Sequence, residues 1–256
     1  NEIMKQKRKI MKTIKMFVPI LLLNFVSAQF LYVNNMRFTI KEGQEQKALD
    51  QISKKTKTYN NEGGMYKLYT YQIMTGPNFR HYVRSRRLNG LKDLDVWDTK
   101  GREYWGKHVM PRVNMEERLI GQFHPEFSVN NTGNTEPTNF LQIWTYSVDP
   151  SKINQFLDVW NKFKSGNEKV KNPKTRYGLF STVSGGNRGD YVLVSYFDSW
   201  AELDELNATN QSNFDKANGS GSFQKLVGQL FSTLVSSSDS RNSEIWRFVP
   251  ELSSDR

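Results

Sequence analysis

Not one of the 256 residues is a cysteine. That absence excludes a disulfide framework, a thiolate metal site, a cysteine nucleophile and the acylated cysteine of a bacterial lipoprotein. Catalytic signatures are missing as well. There is no Gly-x-Ser-x-Gly, no phosphate-cradling Gly-x-Gly-x-x-Gly and no His/Asp/Glu spacing that suits a metal, so no metal is expected. Histidine is scarce, at His81, His108 and His124. After the N-terminal segment no apolar run reaches the length of a membrane-spanning helix. The whole chain is 37% hydrophobic and 13% aromatic, enough to fold. The length suits one large domain or two ordinary ones.

The first residues read as an export signal. Lys5, Lys7, Arg8, Lys9, Lys12 and Lys15 precede a short apolar stretch, Phe17 to Val26, and Val26-Ser27-Ala28 offers small residues for cleavage after Ala28. A membrane anchor suits the segment less well, because Pro19 and Asn24 interrupt it. The formal charge of +10 then shrinks. Without residues 1–28 the chain keeps 30 of its 36 basic and 25 of its 26 acidic residues, a charge of +5. So mild a basic excess calls for no nucleic-acid partner. A periplasmic or secreted protein is expected, bacterial rather than eukaryotic, with no stable membrane insertion after cleavage.

Beyond the signal the chain repeats itself. At an offset of 109, Thr75–Asp95 lies on Ser184–Asp204 without a gap, pairing Gly76 with Gly185, Asn78 with Asn187, Tyr82 with Tyr191 and Val83 with Val192. At an offset of 108, Met36–Ile52 lies on Trp144–Trp160, and at 125, Ile120–Ser128 lies on Ile245–Ser253. Three collinear matches imply a tandem duplication. The expected domains are a signal peptide at 1–28, repeat 1 at 29–128, a linker at 129–139 and repeat 2 at 140–256.

Each repeat reads as β-α-β-β-α-β, the split ferredoxin-like unit, and the fold class as α+β. Helices are expected at Gln44–Lys57 and Ser151–Phe163. The second helix of each repeat should start near Leu91 and after Ser199, where Glu202 completes a capping box. Each last strand should end at Phe-x-Pro-Glu, where proline breaks the ladder. Phe223, Leu226, Val227, Leu230, Phe231 and Leu234 have helical spacing and are expected to pack on the core.

The run YVLVSYFDSWAELDEL, Tyr191–Leu206, resembles the dimeric α/β-barrel superfamily, which includes antibiotic-biosynthesis monooxygenase-like, NIPSNAP-like and stress-responsive barrel proteins. The resemblance covers roughly 36–128 and 141–253. It implies two antiparallel sheets facing each other as a barrel fused within one chain, hence a monomer by default with a homodimer possible. Fold alone does not carry chemistry.

Strand parity assigns Met36, Phe38 and Ile40 to the helices and Arg37 and Thr39 to the barrel interior. Copy one has Arg84, Arg86 and Arg87 where copy two has Leu193, Ser195 and Tyr196. A covered strand does not leave such charges unpaired, and arginine suits carboxylate or phosphate. An interior pocket for an aromatic or anionic small molecule is therefore expected, with Arg37, Arg84 and Arg86 supplying charge and Tyr69, Tyr71 and Tyr82 supplying walls. The competing account pairs these arginines with structural acids or places them at a solvated mouth. Some members of the superfamily bind haem through a helix histidine, which makes His108, three residues after Trp105, the cofactor candidate; otherwise no cofactor is expected. The sequence thus points to an exported soluble barrel protein that binds a small molecule without catalysis, the alternative being a cofactor-independent or haem-dependent monooxygenase-like enzyme.

Overall fold

The structure, a computed structural model, describes residues 30–61, 67–130, 136–187, 189–235 and 241–255. The expected export signal, residues 1–28, lies outside them. Among the described residues the chain runs β1 (Tyr32–Ile40), α1 (Glu45–Tyr59), β2 (Tyr69–Ile73), β3 (Tyr82–Leu88), α2 (Thr99–His108), β4 (Val113–Val129), β5 (Phe140–Ser147), α3 (Ile153–Val170), β6 (Tyr177–Ser184), β7 (Asp190–Phe197), α4 (Trp200–Asn218), α5 (Ser222–Phe231) and β8 (Arg241–Phe248).

The strands close into one barrel in the order β1-β3-β2-β8-β5-β7-β6-β4. Every pairing is antiparallel, and each half contributes four strands in the same order. The registers agree as well. Val33 faces Arg87 and Gly121, while Leu141, 108 residues later, faces Tyr196 and Trp246. Two seams, β2–β8 and β4–β6, join the halves. Gly76 and Gly185 stand at these seams with φ of +91° and +87°. A Cβ at Gly76 would meet the Ser243 carbonyl oxygen, and one at Gly185 would collide with that of Arg118. Close backbone approach across each seam, at a φ that side chains disfavour, accounts for glycine at both positions.

Three cores follow from strand alternation. Inside the barrel Phe30, Tyr69, Tyr71, Phe123, Leu141, Ile143, Phe180, Val194 and Phe248 fill the space. An eight-stranded barrel is just wide enough for side chains to close it, so the expected polar lining gathers mainly at one mouth. There Arg37, Glu117, Thr145, Asp190 and Glu244 gather. Outside, Phe38, Ala48, Ile52 and Val109 form the helix layer of the first half. Tyr146, Phe156, Trp160, Phe163, Tyr191 and Leu193 form that of the second, and Phe223, Leu226 and Val227 of α5 pack on it.

Three boundaries differ from expectation. Leu91–Leu94 is only a 3-10 turn, and the helix starts at Thr99, where the Asp98 carboxylate caps the Gly101 amide at 2.8 Å. β4 continues through Pro125 to Val129, its register with β6 shifting between His124 and Val129. The irregularity absorbs the missing amide, and strand therefore reaches the first residue of the expected linker. α3 runs on to Val170 and stops at Lys171, whose φ is +55°. By contrast α4 begins where the capping box places it, Ser199 Oγ accepting from the Glu202 amide at 3.1 Å.

Candidate functional site: a cationic cavity under the helices of the first half

The antiparallel register sorts the site residues expected in one interior pocket. Met36 stands opposite Arg84, and Asn34 opposite Arg86. Directly paired residues share a face, so Arg84 and Arg86 point with Met36 toward the helices, not into the barrel. Tyr82, opposite Phe38, goes the same way and stacks on that ring at 5.6 Å. Arg37, opposite Val83, belongs to the interior face and pairs with Glu117 at 2.9 Å near the mouth. Tyr69 and Tyr71 are in the interior core, and the arginine that reaches Tyr69 is Arg87, its guanidinium 5.1 Å from the ring centres of Phe30 and Tyr69. The expected pocket is thus divided among three places.

What Arg84 and Arg86 do share is a cavity of about 400 Å³ between the outer sheet face and α1, α2 and the loop before α2. Its apolar walls include Met36, Leu94, Trp97 and Trp105. Among the described residues its charged lining is Lys55, Arg84, Arg86, Arg102 and Arg118, against the single carboxylate of Asp98.

Arg84 is the centre of this arrangement. It is 2% exposed. Its Nη2 donates to Thr56 Oγ1 at 2.8 Å, and its guanidinium carbon lies 5.1 Å from the Trp105 ring centre. Its Nε and Nη1 have no acceptor among the described residues, and no carboxylate there forms an ion pair with it. Burial pulls its pKa down to about 9, which still leaves it charged at neutral pH. Arg86 is better provided, donating to the Asp93 carbonyl at 2.7 Å.

Lys55 comes from the buried stripe of α1, with Ala48, Ile52 and Thr56. Its Nζ donates to Asn60 Oδ1 at 2.6 Å and to Asp98 Oδ2 at 3.1 Å. Burial, reinforced by the Arg84 charge, lowers its pKa to about 8 despite the pull of Asp98. Asp98 therefore serves both the α2 N-terminus and Lys55. Gly101 makes this possible, because a Cβ there would collide with the Asp98 carboxylate. Sequence reasoning missed Lys55, Thr56 and Asp98. A lysine seven residues after Ala48, on the apolar stripe, was the available signal.

The second half has a matching cavity of about 390 Å³, lined by Trp144, Trp160, Tyr177, Leu193, Phe223 and Val227 among others. Leu193 stands where Arg84 stands in the first half, and Arg176 is neutralised by Asp198 at 3.0 Å and Glu202 at 3.1 Å. Neither helix-covered cavity has a histidine in its wall. The His108 ring lies against Tyr104, centres 4.4 Å apart. The residues present do not fit a haem ligated by His108.

No protein-family profile and no curated sequence matches the chain. Solved structures do. An anthrone oxidase-like protein superposes with a TM-score of 0.52 at 11% identity, over 87% of this chain and 93% of that one. A candidate monooxygenase from Lactobacillus acidophilus NCFM gives 0.54 at 9%, over 85% and 94%. A chlorite dismutase variant from Candidatus Nitrospira defluvii gives 0.52 at 10%, over 87% and 93%. At such identities the likeness concerns architecture alone. The chain has an α+β fold like that of these structures, its eight antiparallel strands closed into one barrel within one polypeptide.

Proposed function

We propose that the protein binds a small anionic molecule in the cavity under α1 and α2, with Arg84 as the anchor. The observation that carries this reading is a buried guanidinium with two donor nitrogens, Nε and Nη1, without an acceptor and no counter-ion among the described residues. A charge held that way costs several kcal/mol, on the order of 3–5, unless an anion completes it. A carboxylate or phosphate supplies the missing acceptors, and the excess of cations in the walls favours its entry. Trp105 and Trp97 offer a flat aromatic frame for the rest of the ligand.

Titration with 3-phenylpropionate and with inorganic phosphate, read by tryptophan fluorescence, tests this. Binding at one site is expected, weakened by salt and reduced about ten- to hundredfold in Arg84→Met. The same variant should melt no lower than the wild type without ligand, since it removes an unpaired buried charge. Equal affinity in both proteins, or no anion binding to the wild type, rejects the proposal.

A monooxygenase-like or related barrel activity is the second reading, favoured by what the structural neighbours are called. Oxygen uptake in the presence of anthrone-type substrates would separate it from binding without turnover. We further infer descent by tandem duplication, supported by the three collinear matches, and export, supported by the basic and apolar N-terminal run. N-terminal sequencing of protein recovered from the periplasm or medium should begin at Gln29.

A further inference from the structure

We propose that Lys55 captures an oxo acid in this cavity as an imine, with Arg84 holding the carboxylate and Asp98 carrying the protons. The inference rests on the anion-binding reading and names the chemical class of the anion: a carboxylate with a ketone or aldehyde carbon close by.

The geometry starts from two cations on one wall. Arg84 Nη2 is tied to Thr56, the residue next to Lys55, and both side chains line the cavity. An oxo acid puts its carbonyl carbon one or two bonds from the carboxylate, so an anion seated on Arg84 brings that carbon toward the neighbouring amine. The amine is held from two sides, by Asn60 Oδ1 at 2.6 Å and Asp98 Oδ2 at 3.1 Å. A neutral amine has two N–H bonds and a lone pair. Those two acceptors take the N–H bonds and leave the lone pair at the remaining tetrahedral position.

The charged groups packed around Lys55 come from two elements besides its own helix. Burial and Arg84 on β3 disfavour its protonated form and Asp98 at the start of α2 favours it, and the net pKa of about 8 leaves a reactive neutral fraction near neutral pH that becomes the major form above about 8. A desolvated lysine beside a second cation is the arrangement that makes amines nucleophilic near neutral pH. The step balances without any further reactant. The Lys55 nitrogen bonds to the carbonyl carbon as the C=O π pair moves to oxygen, and Asp98 takes one N–H proton and delivers it to that oxygen. Asp98 then takes the second N–H proton and delivers it to the hydroxyl, which departs as water while the nitrogen lone pair closes C=N. Hydrolysis runs the same steps backwards and frees the amine.

The experiment is reductive trapping of the folded protein with phenylpyruvate and cyanoborohydride, followed by intact-mass measurement and peptide mapping. 3-Phenylpropionate, which has the same frame without the ketone, serves as the binding control. One adduct per chain on the Lys55 peptide is expected, absent in Lys55→Arg and formed at least about tenfold more slowly in Arg84→Met. The trapping rate should rise with pH through about 8, whereas surface lysines titrate near ~10.4. Adducts scattered over surface lysines, or a rate that climbs only with theirs, overturn the imine. Binding of 3-phenylpropionate without any trapping also overturns it, while the anion site stands. If neither molecule binds, both readings fall.

Discussion

Arg84 and Leu193 occupy matching positions in the two halves of the barrel, opposite Met36 and Trp144 respectively. Leucine there completes an apolar layer, whereas arginine leaves a charge beneath two helices with one hydroxyl and one indole face for company. Lys55 pays a related cost, and its sign can be worked out. Its pKa is lowered from 10.5 to about 8 on folding. Below about 8 both folded and unfolded chains hold the proton, and the burial penalty is present in full. Between about 8 and 10.5 the unfolded chain binds more protons than the folded one, so stability rises with pH across that window. The whole effect is on the order of 3 kcal/mol. Urea unfolding of wild type and Lys55→Met at pH 7 and at pH 10.5 should show the difference between them shifting toward the wild type by up to that amount. A pH-independent difference would refute the lowered pKa.

At the scale of elements, glycine separates two effects that a helix propensity table merges. Gly166 in α3 and Gly228 in α5 both sit inside helices. A Cβ at Gly166 would collide with the Phe214 ring of α4, while nothing lies within 4 Å of one at Gly228. Gly228→Ala should therefore stabilise by about 0.5–1 kcal/mol from backbone entropy alone. Gly166→Ala should destabilise by about 1–3 kcal/mol, as overpacking does. Chemical denaturation of the two variants checks both signs. The local signals that proved readable are of this short-range kind. Ser199 and Glu202 placed the start of α4 because a cap involves neighbours in sequence. Leu91 misplaced the start of α2 because the groups that settle it, Asp98 with Gly101 and Asn89 with Asp93, form a loop before the helix can begin. Pro125 does not end β4, since the ladder to β6 shifts register around it.

At the scale of the molecule, the seams decide stability. β2 and β4 of the first half find partners only in β8 and β6 of the second on their outer sides. The interior core likewise draws on both halves, Tyr71 packing on Trp246 and Phe248, and Phe123 on Phe180. Either half alone would expose two strand edges and an aromatic face, a recipe for association. Expression of residues 30–130 by themselves should yield aggregate or a dimer that rebuilds the barrel, whereas the intact chain should unfold in one transition. A soluble, cooperatively folding monomer of 30–130, seen by sedimentation, would contradict the shared core.

The sequence by itself determined the order of elements, the two equivalent halves and the alternation on each strand, because these depend on spacing along the chain. It also marked Arg84 and Arg86 as charges needing a partner, because their counterparts are Leu193 and Ser195. The face on which those charges lie was decided only by pairing: the register of β3 against β1 sets Arg84 beside Met36 and away from Arg37. The cavity was decided later still. Arg84 on β3 reaches Thr56 on α1 across 28 residues, Trp105 comes from α2 to lie against it, and Asp98 reaches Lys55 across 43. No periodicity in the chain encodes a meeting at that distance; packing the helices on the closed sheet does.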